Sequence, residues 1–462
     1  MSLVNEANEL FQKILIEDDP VGQMKTLSLQ MAKYDMTMRG KPIPTFLKPY
    51  FVSKEAKKLF KDATNHIMSA IEKVAEAFFA DPKFKNLLEL QGLVEKYARM
   101  NQIYPRRQIV TRLDAFYAPE TDQIKFIEFN CDSPSGMGWH DVMVDMFKEL
   151  NSIKNLSEIF LLEADKFLDT HTRMLLKKYH QFCAAKNEKP VANPLFAIVC
   201  ARESTIYSDV QVIVETLNKK GYRAIYADPR DFEYDGKKVT KDGKEIHLIY
   251  RDAIQEFLEE PYYGHTDAVL KAYEDGNICF INPFCSRVGG LKSVLAIMND
   301  PEFSYLFIEE ELDVIRKYIP FTRLIRDMEI KINNEKIYLP DFIRENKNTL
   351  VLKPNSGYGG HGVVVGATVS DEEWEATLKK ALTPGNNYVV QEMVPIPCDY
   401  FPVVEDEKFL GFYPKNVNIN FWAYDGEFGG AYVRASSGAI INVHQGGGMV
   451  PVFYVDKKQE KI

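Results

Sequence analysis

The residues with the clearest chemical potential stand in two short runs. Arg112 and Asp114 are two apart, and so are Glu128 and Asn130. Side chains alternate along a strand, so each pair points to one face if both runs are strands. With Asp114 opposite Glu128, all four polar groups converge, and Leu113, Ala115, Ile127 and Phe129 are left for a core. Two carboxylates and an amide oxygen suit a hard cation such as Mg²⁺, which takes few protein oxygens and fills its shell with water and phosphate. Arg112 beside them suits bidentate contact with a phosphate or an oxyanion. The competing reading is a solvated polar face with a surface salt bridge.

A second constellation lies far downstream: Val351-Leu-Lys353-Pro-Asn-Ser-Gly357-Tyr358-Gly359-Gly360-His361-Gly362-Val-Val. Gly357, Gly359 and Gly362 match G-x-G-x-x-G, but the dinucleotide-binding version needs a helix after the last glycine. Here β-branched residues follow, which favour a strand. The kinase glycine loop does sit between strands, yet no H-R-D or D-F-G follows, and no Walker A lysine is present. What remains is a hairpin flap whose glycines let backbone N–H groups approach phosphates. Lys353 on its leading strand would neutralise part of their charge. An ordinary surface hairpin is the alternative. Then comes Val389-Val390-Gln391-Glu392-Met393-Val394, either a strand offering its backbone to an adenine edge or a plain core strand.

The elements that must position these groups follow from periodicity. Phe60, Ile67, Ile71, Val74 and Phe78 keep helical spacing over 57–80, with a stop at Asp81–Pro82. Residues 111–117 and 124–130 read as a hairpin, followed by a turn-rich loop over 131–138. Residues 151–190 read as helical. Over 195–227 a strand, a helix and a strand alternate, which predicts a parallel sheet; 244–250 and 277–283 add strands and 291–299 a helix. Strands over 349–354, 363–366 and 388–394, with a helix over 371–382, frame the flap. The tail, 411–454, is strand-rich. The expected organisation is a helical region over 1–107, a segment carrying the hairpin over 108–190, an α/β parallel-sheet unit over 191–320, and a nucleotide-binding lid with C-terminal strands over 321–462.

Composition narrows the classes. The 462 residues are 45% hydrophobic and 27% charged, ordinary for a globular chain. The net charge of −9 argues against general binding to nucleic acid or anionic membrane. No apolar run approaches the roughly 20 residues of a membrane span. No signal peptide is expected at the polar N-terminus, and the expected location is cytoplasmic. The six cysteines form no C-x-x-C and read as incidental thiols.

Together these segments resemble the ATP-grasp superfamily. The flap with Lys353, then Val-Val-Gln391-Glu392, resembles its ATP-clamping half, and Glu128-Phe129-Asn130 resembles its E-x-N metal pair. The pair precedes the glycine loop instead of following it. That order resembles the circularly permuted branch, which includes the synthase domain of glutathionylspermidine synthase. Arg112-Leu-Asp114 and Phe126-Ile-Glu128-Phe-Asn130-Cys-Asp132-Ser133-Pro134 resemble its R-x-D and E-x-N-A-D-T-P segments. Segments resembling related permuted proteins include Pro44-Thr-Phe-Leu-Lys48-Pro-Tyr, Ile249-Tyr-Arg251-Asp and the tail around Arg434, Asn442 and Gly446. The flap sequence itself departs from the synthase's own loop.

The resemblance implies an α/β fold of the permuted ATP-grasp type and an ATP-dependent carboxylate–amine ligase working through an acyl phosphate. It implies ATP and Mg²⁺ as cofactors, and small-molecule carboxylate and amine substrates. Asp114, Glu128 and Asn130 would hold the metal, and Arg112 the acyl-phosphate region. Lys353, Gly357, Tyr358, Gly359, Gly360, Gly362, Gln391, Glu392, Met393 and Val394 would bind ATP. Arg434, with Asn442 nearby, is a further phosphate candidate; Ser133, Ser135, Arg251 and Lys292 are candidates for the substrate side. His361 reads as an exposed loop residue and His140 as a local hydrogen-bond partner. A phosphotransferase, or a protein that binds ATP without catalysis, remains open.

Overall fold

The computed structural model describes residues 2–38, 40–90, 92–100, 103–252, 257–259, 262–332, 335–357, 360–438, 441 and 447–458. The architecture is mixed α/β, as expected, with one large antiparallel-rich sheet, one parallel sheet and a small antiparallel lid.

The large sheet gathers strands from both ends of the chain. Its main path runs Tyr50–Ser53, Gly448–Lys457, Glu427–Ser436, Lys408–Tyr424, Val110–Ala118, Gln123–Asn130. Against it lies the helix Lys54–Ala80, capped by the Ser53 hydroxyl, which accepts from Ala56 N. Its apolar stripe buries Phe60, Ile67, Ile71, Val74 and Phe78. Phe60 touches Tyr117 and Phe421 of the sheet, both with ring centroids 4.8 Å away. The helix stops where the sequence predicts, because Asp81 turns to cap the next helix, Pro82–Leu88.

The parallel sheet has the order Cys279–Ile281, Leu248–Arg251, Leu195–Val199, Arg223–Ala227, with the helix Tyr207–Lys219 crossing between the last two. The lid orders Thr322–Leu324, Tyr388–Glu392, Leu350–Pro354, Val364–Val365. It has its own core of Ile325, Leu339, Ile343, Leu352, Trp374 and Leu378.

Three expectations change. The run 244–250 is not one strand. Lys244–Ile246 pairs with Val239–Lys241, whereas Leu248–Arg251 enters the parallel sheet. His247 makes the switch, its N donating to Leu195 O while its Nδ1 accepts from Leu195 N. The stretch 151–190 contains a strand, Phe160–Glu163, which pairs with Gly448–Lys457. Its partner lies at the far end of the chain, so no local pattern reveals it. The strand read over 388–394 ends at Glu392, short of Met393 and Val394.

Candidate functional site

The hairpin Val110–Ala118 and Gln123–Asn130 has the anticipated register. Asp114 lies opposite Glu128 and Arg112 opposite Asn130. A β-bulge follows at once, since Ala115 pairs with Phe126. Ile127 is the extra residue, so Phe126 takes the core position that simple alternation assigns to Ile127. Bulges re-aim local groups, and here the Ile127 carbonyl accepts from Lys353 Nζ at 3.1 Å.

Asp114 is the anchor of a buried charge network. Arg112 Nε donates to its Oδ1 at 2.8 Å, and Arg434 Nη2 to its Oδ2 at 2.5 Å. Arg434 also donates to Asn418 Oδ1 at 2.8 Å and Asn420 Oδ1 at 2.5 Å. The amide nitrogens of Asn418 and Asn420 are spent on the carbonyls of Ala115 and Asn418, which aims both oxygens at the guanidinium. Burial works to raise the Asp114 carboxyl, but Arg112 and Arg434 outweigh it and hold the group below its ordinary range. Arg112 also donates to the Ser135 carbonyl at 3.3 Å, tying the following loop to the hairpin.

Lys292 bridges the hairpin and the flap. Its Nζ donates to Glu128 Oε1 at 2.9 Å and to the Gly357 carbonyl at 2.6 Å. Asn355, on the flap, reinforces the junction: its Oδ1 accepts from Ser293 N at 2.8 Å and its carbonyl from Lys292 N at 3.1 Å. Lys353 donates to Gln391 Oε1 at 2.6 Å, and Gln391 Nε2 donates in turn to Thr322 Oγ1 at 3.1 Å. Burial pushes the Lys353 ammonium down to about 8, against the pull of Glu128 and with help from Lys292. In the flap, Gly360 and Gly362 hold φ of 78° and 72°, and a Cβ at Gly362 would stand 2.8 Å from Pro354 Cγ. Both φ values favour glycine, and at Gly362 the Pro354 ring adds a steric reason. Four cations (Arg112, Arg434, Lys292, Lys353) meet two carboxylates (Asp114, Glu128), a local surplus of 4 − 2 = +2. That surplus suits a polyanion.

Other anticipated residues take different places. Tyr358, Gly359, Asn442 and Gly446 lie outside the described residues. Gln391 orients Lys353 and so acts behind the flap. The N–H groups of Glu392 and Met393 are committed to the carbonyls of Phe321 and Thr349, each at 2.8 Å, and so are not free for an adenine edge. The Glu392 and Met393 side chains are exposed, while Val394 is buried. Arg251 is fully buried, paired with Asp132 and donating to the Asn282 carbonyl at 2.8 Å. It shapes the loop after the hairpin. Ser133 and Ser135 sit half-buried on that loop, and His361 is exposed. His140 is buried, stacked on Phe167 with Nδ1 3.3 Å from Asp141 Oδ1. Sequence reasoning missed Asn418, Asn420 and Asn355. The run Asn416-Val-Asn418-Ile-Asn420 did carry a strand-period signal.

The donor set fits a hard cation in part. Only one Glu128 oxygen is engaged, and no hydrogen bond holds the Asn130 side chain among the described residues. Both oxygens of Asp114 accept from arginines. No group of three His, Cys, Asp or Glu side chains suited to a metal occurs among the described residues. Two uncommitted oxygen donors, with an arginine-bound carboxylate beside them, match an ion that keeps most of its shell as water and phosphate.

No family model matches the chain. An uncharacterized protein of Mycobacterium leprae (strain TN) is 25% identical over 219 residues, 46% of this chain and 36% of that protein. One of Mycobacterium tuberculosis (strain ATCC 25618 / H37Rv) is 26% identical over 160 residues, 34% of this chain and 27% of that protein. The matches thus span 36% and 27% of these curated relatives' own lengths. A glutathione synthetase-like effector from Globodera pallida, solved in apo form, aligns with TM-score 0.60 over 94% of this chain and 96% of that one, at 11% identity. A RimK-domain ATP-grasp protein from Sphaerobacter thermophilus DSM 20745 aligns with TM-score 0.27 over 57% of this chain and 90% of that one, at 15% identity. The chain thus shares its overall fold with that glutathione synthetase-like effector. Among the described residues, no helix is long and apolar enough to cross a membrane.

Proposed function

We propose that the chain is an ATP-dependent carboxylate–amine ligase of the circularly permuted ATP-grasp kind. One observation carries the reading: the acidic hairpin and the glycine flap meet, with Lys292 touching Glu128 and Gly357, and Lys353 touching the Ile127 carbonyl. Groups more than 200 positions apart in sequence are therefore in direct contact, as a shared nucleotide site requires.

In this reading a substrate carboxylate attacks the γ-phosphorus of ATP, ADP leaves, and an acyl phosphate forms. An amine then attacks the acyl carbon, inorganic phosphate leaves, and the amine gives up a proton. Catalysis of this kind is mostly positioning and charge neutralisation. Glu128 and Asn130, with Asp114 behind them, would hold Mg²⁺, which supplies neutralisation of the phosphate oxygens when bound. Lys353 and Lys292 would release their present partners and turn to the phosphates. Arg112, kept rigid by Asp114, would face the transferring phosphoryl group, and Arg434 would hold Asp114 in place. The flap, closing over the cleft, would keep water from the acyl phosphate.

The test is ADP and phosphate release from Mg-ATP with a panel of carboxylates, with and without amines. Amine-dependent release of both products supports the ligase. A stable phosphorylated product without amine would replace it with a phosphotransferase. Nucleotide binding without turnover on any pair would replace it with a binding protein.

A further inference from the structure

Beside the flap, a second recess opens between the lid, the parallel-sheet unit and the helical region. It measures about 230 Å³. Leu90, Val94, Leu258 and Phe284 give it apolar walls, and Arg287, Glu259 and Ser356 give it a polar edge. It adjoins the Lys292–Gly357 contact through the chain itself, because Leu291 lines it next to Lys292 and Ser356 lines it next to Gly357.

Charge pairing within the recess is incomplete. Of its carboxylates, Glu89 is paired with Arg326 at 2.6 Å and Asp132 with Arg251. Arg287 donates to the Ser356 hydroxyl at 3.0 Å, and no carboxylate of the described residues lies within ion-pair distance of it. Glu259 likewise has no cationic partner among the described residues. One guanidinium and one carboxylate therefore border the same recess without pairing with each other. A guanidinium recognises a carboxylate in a planar, two-pronged geometry. The volume lies below the roughly 300–1,000 Å³ of pockets for drug-sized ligands, so the occupant is small.

We infer that this recess docks the amine substrate, and that this substrate is an amino acid or short peptide. Its free carboxylate lands on Arg287, and Glu259 on the same edge takes the proton that frees its amine to attack. The inference rests on the ligase reading and narrows it from any amine to a zwitterion. Ser356 makes the flap part of the recess, so seating the ligand and ordering the flap are coupled.

The test is calorimetry on the full chain with Mg²⁺ and a non-hydrolysable ATP analogue present. The probes are free amino acids and glycyl dipeptides, each also as its carboxyl-terminal amide. At least one free acid is expected to bind, with its amide weaker by at least tenfold. Arg287→Gln should weaken that acid by tenfold or more while leaving the analogue's affinity within twofold, and Arg287→Lys should recover part of the loss. Glu259→Gln should weaken the acid as well. Equal binding of acid and amide, an Arg287→Gln variant that binds the acid normally, or no binding by any probe would each overturn the inference while the nucleotide site stands. A loss of analogue affinity in Arg287→Gln would overturn it by assigning Arg287 to the phosphates. Failure of the wild-type chain to bind the analogue would remove the ligase reading itself and this inference with it.

Discussion

In the proposed function, Lys353 is the group whose protonation would govern nucleotide binding. Burial holds it at about 8, below the ordinary 10.5 of a lysine. The sign follows from linkage: between about 8 and 10.5 the unfolded chain binds more protons, so this group alone makes stability rise with pH across that window. Nucleotide affinity runs the opposite way. It should fall as pH rises through about 8, and binding near pH 9 (about the middle of that window) should take up protons. Calorimetry in buffers of different ionisation enthalpy reads that uptake; none at all would place the phosphates away from Lys353. Lys353→Ala should weaken ATP at least several-fold. Glu128→Gln should lower turnover on the order of a hundredfold or more with little change in melting temperature, because Glu128 is partly exposed; wild-type activity in that variant would remove the metal assignment. Asp114→Ala differs, since it strands Arg112 and Arg434 without a carboxylate. Breaking a buried pair from one side costs about 3–5 kcal/mol, so denaturant melts should show a large loss. Much of this was legible at the level of single residues. The alternation of Arg112, Asp114, Glu128 and Asn130 is local, and local patterns survive folding. The link from Asp114 to Arg434 spans 320 positions and depends on strand pairing that no short window contains. Arg251 shows the converse: the same residue type on a promising strand end was taken by Asp132, a partner the local pattern does not specify.

At the scale of elements, the bulge and the flap do the positioning. Alternation predicted both faces of the hairpin but not the extra residue at Ile127, because a bulge is set by the partner strand as much as by its own sequence. Deleting Ile127 should restore simple pairing beyond the site and take its carbonyl away from Lys353. Nucleotide affinity should drop, with a hydrogen-exchange map showing altered protection in Gln123–Asn130. The flap glycines were legible as glycines, and their left-handed φ explains them. Gly362→Ala meets both an unfavourable φ and the Pro354 ring. Its ATP affinity should fall while the melting temperature of the main body holds, since the lid has a separate core. A cooperative loss of the whole fold would contradict that separation.

For the whole molecule, the large sheet and the small four-stranded sheet with its own core meet at one junction. The body's sheet closes with strands from residues 50 and 457 at once, so its formation needs both ends of the chain. The lid folds from a continuous run and meets the body at Lys292, Asn355 and Lys353. Composition and periodicity made the α/β character and the parallel sheet readable; the strand Phe160–Glu163 was not, since its partner is almost 300 positions away. The most direct test of the central claim is a crystal structure with Mg²⁺ and a non-hydrolysable ATP analogue. The terminal phosphate is expected between Lys353 and a magnesium ion held by Glu128 and Asn130, with the glycine flap over it. A nucleotide bound elsewhere, with Lys353 still on the Ile127 carbonyl and Glu128 still on Lys292, would contradict it.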